Sequence, residues 1–251
     1  MGLLQRAIET YDANARLVGV YPEGHEPLAP VGHLLTSAGI EITLNVQGEL
    51  LAARKVEKNE PKILIPVTEN SGGRSSTTVA AHPLCDQLKY VACTNERAHK
   101  CYLATLRAWM ESAYGHPVLS AVYAYVVKGT ILEDLEKSGA LKKKGKNDEK
   151  LLVCWRVLGI DGEEPACWKN QNLFLLYENY YYSSVSDRYR RLCMISGTED
   201  LIVSKYQRGI ISKPYTAKLI SCNDNEGFTY RGRFLKEWQA ATVGYTASQK
   251  A

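Results

Sequence analysis

Apolar side chains recur at helical spacing through Leu4, Ile8, Tyr11, Ala15 and Val18, with acidic residues between them. The spacing predicts an amphipathic N-terminal helix, and the interleaved acids argue against a secretory signal. After the Pro- and Gly-rich residues 21–30 the period shortens. Residues 39–56, GIEITLNVQGELLAARKV, alternate apolar and other side chains on both sides of Gln47 and Gly48, which predicts a hairpin, and 62–67 (KILIPV) predicts a further strand.

Helical spacing returns at 95–114 through Cys101, Leu103, Leu106, Trp109 and Met110, with Asn95 placed to cap it. A second helix is expected after Pro117 and a third over 131–141. Residues 142–150 (KKKGKNDEK) read as a solvated turn or hinge, although such a lysine cluster also suits phosphate. The apolar run 151–158 (LLVCWRVL) predicts a strand, and 162–183 leads into a helix that gathers Trp168, Leu173, Leu176, Tyr177 and Tyr180 near one side. That tyrosine run reads as core and interface before it reads as a base-stacking platform. Two more strands are expected at 190–195 and 217–222. The expected class is α+β, with mixed or antiparallel sheet elements and interspersed helices, as one region over 1–251 or as subdomains 1–145 and 146–251.

Composition narrows the class of protein. Apolar residues make up 45% and charged residues 23% of 251, the balance of an ordinary folded globular chain. No apolar run approaches the about eighteen residues that cross a bilayer, so no membrane partner is expected. The seven cysteines are odd in number and never spaced CxxC, which points to reduced thiols in a cytoplasmic protein. His82, Cys85, Cys93 and His99 can be drawn as a zinc set, but their spacing matches no common pattern, and buried inert thiols are the default. Between residues 203 and 238 seven basic residues face three acidic ones, an excess equal to the whole formal charge of +4. Such a patch suits an anionic partner.

Catalytic signatures are missing from the sequence. It contains no GxxxxGK[ST], HExxH, GxSxG or Rossmann glycine triplet, and no DxD cluster of the kind a two-metal nuclease uses. His82, Cys85 and Asp86 form a trio on paper, yet residues this close in sequence rarely place their functional groups as a triad. No cofactor is implied, and binding is favoured over chemistry. The segment 69–78, ENSGGRSSTT, joins adjacent glycines, an arginine and several hydroxyl side chains without an apolar residue. It reads either as a surface hairpin or as a loop made to approach phosphate or base edges.

Two longer stretches carry a resemblance. Residues 217–234 (AKLISCNDNEGFTYRGRF) and 237–251 (EWQAATVGYTASQKA) closely resemble the large-subunit family of the type I-C CRISPR surveillance complex, Cascade. LLQRAIETYD, RSS followed by LCDQLKYV, WRVLGIDGEEPACWKN and RRLCMISG follow the family's order across the chain. Family members continue past SQKA into helical sequence, so the chain is similar to their N-terminal portion, without the C-terminal helical bundle. The loop departs from the family's R[ST]SG-like run, because Gly72 and Gly73 precede Arg74 here.

The resemblance implies a bacterial cytoplasmic, non-catalytic subunit that recognises the PAM in target double-stranded DNA. It would help open the duplex for guide RNA, work with the other Cascade subunits, and support recruitment of a separate helicase-nuclease. It further implies DNA contacts from Asn70, Ser71, Gly72, Gly73, Arg74, Ser75, Ser76 and Lys89, with Arg231 and Arg233 on nucleic-acid backbone or on local acids such as Asp224 and Glu226. A shortened assembly or decoy subunit that docks without reading DNA is the alternative.

Overall fold

The alternation in 39–56 resolves into two antiparallel strands joined through Gly48, whose φ of 73° is one that glycine adopts without strain. The structure, a computed structural model, describes residues 2–74, 77–141, 148–185, 190–203, 206, 220 and 234–251. In chain order its elements are α1 (Leu3–Ala13), β1 (His33–Thr36), β2 (Ile40–Asn45), β3 (Leu50–Lys55), β4 (Ile63–Pro66), α2 (Glu69–Gly72), β5 (Asp86–Gln87) and α3 (Leu88–Val91). There follow α4 (Glu96–Met110), α5 (Pro117–Val126), α6 (Ile131–Lys137), β6 (Leu152–Leu158), α7 (Gln171–Ser184), β7 (Arg190–Leu192), β8 (Glu199–Leu201), α8 (Glu237–Ala240) and α9 (Tyr245–Lys250). The architecture is mixed α+β with open sheets. The strand expected at 217–222 falls almost wholly outside the described residues, as do 142–147 of the lysine-rich turn. Among the described residues no helix is long and apolar enough to cross a membrane.

Two compact units interleave along the chain instead of dividing it at one point: Leu17–Thr68 with Arg74–Tyr181, and Met1–Arg16 with Glu69–Gly73 and Tyr182–Ala251. The former holds a four-stranded sheet ordered β3-β2-β6-β5 and a separate antiparallel pair, β1-β4. Its sheet is mixed, since β2 runs parallel to β6 while its other pairings are antiparallel. Register sets Ile40 beside Val153, Ile42 beside Trp155 and Leu44 beside Val157, and these six side chains are buried on one face. That face packs against α5, where the Tyr125 ring meets the edge of Trp155 at 6.2 Å. Trp155 and Tyr102 both donate to the Leu84 carbonyl oxygen, at 3.0 and 2.7 Å, so these two large core side chains have their polar ends satisfied.

The helix starts follow local chemistry. Asn95 Oδ1 accepts from the Ala98 N–H at 3.0 Å at the start of α4, and Pro117 opens α5 where its missing N–H costs nothing. Trp168 lies before α7 and not on it, while Leu173, Phe174, Tyr177 and Tyr181 form the buried face of that helix. Of the tyrosines expected to be core, Tyr177 is buried and meets the Trp109 ring edge-on at 5.0 Å, while Tyr180 is half-buried.

In the other unit α1 packs on α9, and Lys250 Nζ reaches Asp12 at 2.7 Å. None of the α1 side chains is fully buried. Asp200, at β8, accepts from the Thr246 N–H at 2.8 Å and so supplies the cap that Gly244 cannot give α9 from its own side chain.

Candidate nucleic-acid interface

Residues 69–74 do not form the hairpin that their composition suggests. Glu69–Gly72 is a single helical turn, with Asn70 exposed and Glu69 and Ser71 buried. Ser71 is therefore turned inward and not presented to a partner. Positive φ falls at glycines such as Gly48 and Gly129 and not at Gly72 or Gly73, so this pair supplies small size and close approach but no left-handed backbone. Ser75, Ser76, Arg231 and Arg233 lie outside the described residues.

Arg74 begins the segment that belongs to the sheet-bearing unit, and its surroundings are specific. The guanidinium forms a bidentate pair with Asp86: Nη1 donates to Oδ2 at 2.9 Å and Nη2 donates to Oδ1. Nη1 also donates to the Ala80 carbonyl oxygen at 2.6 Å, and the guanidinium lies 4.3 Å from the centre of the Tyr90 ring. Burial by itself would lower the Arg74 pKa, but the hydrogen bonds and charge of Asp86 outweigh it and raise it. Asp86 is fully buried and also accepts from the backbone N–H groups of His82, at 2.7 Å, and Gln87, at 2.6 Å. Lys89, partly exposed on α3, holds its Nζ 5.4 Å from the same Tyr90 ring. Two of the residues singled out from the sequence, Arg74 and Lys89, are thus brought together on Tyr90.

Asp86, weighed in the sequence only in a trio with His82 and Cys85, and Tyr90 are the partners of Arg74 that sequence reasoning missed. The only local signal was an acid set inside the apolar run LCDQL, where an unpaired carboxylate would be costly. His82 contributes a backbone N–H to Asp86, and its buried imidazole is held down to about pKa 4 by desolvation, against the pull of Asp86. Burial pushes the Cys85 thiol well up, so neither neighbour of Asp86 is poised as a base–nucleophile pair. Among the described residues no three His, Cys, Asp or Glu side chains gather in a way that could hold a metal ion. Cys93 is exposed, and His99 Nδ1 sits 2.8 Å from the Tyr90 carbonyl oxygen.

Within the unit that holds Arg74 the guanidinium is fixed by a buried ion pair, and in the other unit Asn70 stands exposed on the helical turn Glu69–Gly72. No curated protein matches this chain. The family described as CRISPR-associated protein (Cas_Csd1) matches residues 9–251, nearly the full length. The chain belongs to this family of CRISPR-associated proteins.

Proposed function

We propose that the chain is a non-catalytic, DNA-binding subunit of a type I-C Cascade that recognises the PAM in target double-stranded DNA. On this reading it is the N-terminal portion of the large subunit. It helps open the duplex for guide RNA pairing within the assembled ribonucleoprotein, and the assembly recruits a separate helicase-nuclease. Family membership supports the setting. The observation that carries the reading is the exposed Asn70, followed through Gly72 and Gly73 by an arginine already locked onto a buried carboxylate. An amide offers both donor and acceptor to a groove edge, and two residues without side-chain bulk let the backbone come close. In RNA-guided systems the protein reads only the short flanking motif and duplex shape, so a small reading surface suffices.

Arg74 enters this reading in a changed role. Its Nη1 and Nη2 donate to Asp86 and to the Ala80 carbonyl oxygen and its charge is paired, so it does not itself neutralise a phosphate. The test is binding of the assembled complex to matched duplexes with and without the PAM. Asn70→Ala should weaken PAM-bearing DNA by about 1–3 kcal/mol, the size of one base contact, and leave the other duplex unchanged. If Asn70→Ala and Gly73→Val bind both duplexes as the parent does, the turn does not read DNA and the assembly-subunit alternative takes its place.

A further inference from the structure

The face of the four-stranded sheet opposite the apolar core is charged, and it floors a cavity of about 680 Å³ that lies wholly within the unit of Leu17–Thr68 and Arg74–Tyr181. Glu41 and Arg54, paired across β2 and β3, share this face with Arg156 of β6. The loop of residues 21–27 and the pair Trp168 and Lys169 contribute walls. The volume is in the range of small-molecule sites.

The polar lining divides into a part that is chemically spent and a part that is not. Arg54 is spent: it donates to Glu41 Oε2 from Nε at 3.1 Å and from Nη2 at 2.5 Å, and to the two Glu60 oxygens at 2.7 and 2.8 Å. Lys62 is paired with Glu26 at 2.6 Å. Arg156 is different, because among the described residues only its Nε is committed, to Glu41 Oε1 at 2.9 Å. Its guanidinium rests 5.4 Å from the centre of the Trp168 ring. Lys169 likewise holds its Nζ 5.2 Å from the centre of the Tyr21 ring. An aromatic face orients a cation without using its N–H donors, so both side chains keep donors for an incoming ligand. Among the described residues neither Lys169 nor Lys58 has a carboxylate partner, and Glu23 is the one lining acid that lacks a cationic one. Lys58, Lys169 and the outer half of Arg156 therefore outweigh Glu23, and the unspent charge in the cavity is positive.

We propose that this cavity binds a phosphomonoester of nucleotide size. A planar fork flanked by point-charge lysines suits the several oxygens of a terminal phosphate, and the space exceeds what phosphate alone would fill. The shared chemistry has two sources, a free nucleotide or the 5′-phosphate of an oligonucleotide end. The site goes beyond the proposed reading of DNA and does not depend on it.

Calorimetric titration of the full chain tests the site with four probes: inorganic phosphate, thymidine 5′-monophosphate, a 5′-phosphorylated thymidine tetranucleotide and the same tetranucleotide without its phosphate. Saturable binding of the monophosphate is expected, and the Lys58→Gln/Lys169→Gln double variant should weaken it by about tenfold or more, as loss of charge-assisted donors requires. Glu23→Gln should tighten it, and Lys100→Gln, on the exposed side of α4, should leave it unchanged. Equal affinity for the monophosphate and the phosphorylated tetranucleotide supports a site that reads the phosphate from either source, and clear preference for one assigns the source. Three results overturn the proposal: no saturation by the monophosphate, equal and saturable binding of the two tetranucleotides, or parental affinity in the folded double variant. Arg156→Gln is a second variant, checked for fold by circular dichroism, and parental affinity there overturns it equally. No PAM-bearing duplex is used, so failure here leaves the Asn70 test untouched, and the reverse.

Discussion

Asp86 shows at the scale of one residue how the fold carries a charge in its interior. Its two oxygens accept from two Arg74 nitrogens and from the backbone N–H groups of His82 and Gln87, so the carboxylate is both paired and fully hydrogen-bonded. Removing one partner of such a pair strands the other. Asp86→Asn would leave the Arg74 charge against an amide, and a loss of about 3–5 kcal/mol is expected from breaking a buried ion pair. Denaturant unfolding measures it as a lower midpoint at constant slope, and a parental midpoint would show that the pair does not hold the fold. Two buried histidines give the same unit a defined acid sensitivity. Burial holds the imidazoles of His33 and His82 down to about 4 from the ordinary 6.5, although the Val31 carbonyl at 3.0 Å from His33 Nδ1 and the charge of Asp86 near His82 pull the other way. Above the unfolded value both states are neutral and stability is full. As pH falls from 6.5 toward 4 the unfolded chain takes up protons that the folded chain refuses, so stability drops by up to about 1.4 kcal/mol per pH unit for each imidazole. His33→Phe keeps an aromatic ring against Phe174 and Tyr177 and should remove one of these two contributions when unfolding is compared at about pH 7 and about pH 5. An unchanged pH dependence would show that His33 does not titrate in this window.

The β2–β3 hairpin is the element whose sequence and structure agree most closely, and it also makes a sharp prediction. Asn45 Oδ1 accepts from the N–H groups of Gln47 and Glu49, at 3.1 and 2.8 Å, and Gly48 takes the positive φ that closes the turn. A Cβ at Gly48 would lie 2.6 Å from the Ala121 carbonyl oxygen on α5, so Gly48→Ala meets backbone strain and a clash together. A loss of about 1–3 kcal/mol is expected in equilibrium unfolding, and a neutral result would mean that α5 yields easily. Turn chemistry, caps and period are local, which is why this hairpin, β4, the Asn95-capped α4, α5 behind Pro117, β6 and α7 were legible in the sequence. Pairing is not local. Nothing near 40–45 or 152–158 announces that β2 and β6 lie side by side in parallel, and the two-residue β5 is too short to carry a period. The same limit applied to the candidate site. Glycine, serine and asparagine marked 69–78 as special, but Arg74 finds its carboxylate twelve residues away, beyond the reach of any local pattern, and the turn at Glu69–Gly72 is helical without a strong helix-forming run. The charged floor formed by Glu41, Arg54 and Arg156 escaped for the same reason, since its members come from three strands that only tertiary pairing assembles.

Over the whole molecule the positive excess is uneven, and the charges that dominate it sit in residues 203–238, where Arg231 and Arg233 flank Gly232. Alternate positions of an extended segment face the same way, so two arginines spaced by one residue can meet one strand of phosphates together. Duplex DNA releases about 0.9 counterion for each phosphate that a protein neutralises, and this fixes the slope of log affinity against log salt. Arg231→Ala and Arg233→Ala in the assembled complex should each reduce that slope by about 0.9, for duplexes with and without the PAM alike. Asn70→Ala, which removes a base contact and no charge, should leave the slope unchanged while reducing the preference for PAM-bearing DNA. The two classes of variant therefore separate holding DNA from reading it. If the arginines instead pair with Asp224 and Glu226, the slope stays at its parental value, the thermal midpoint falls, and the basic excess of this region belongs to the fold and not to the partner.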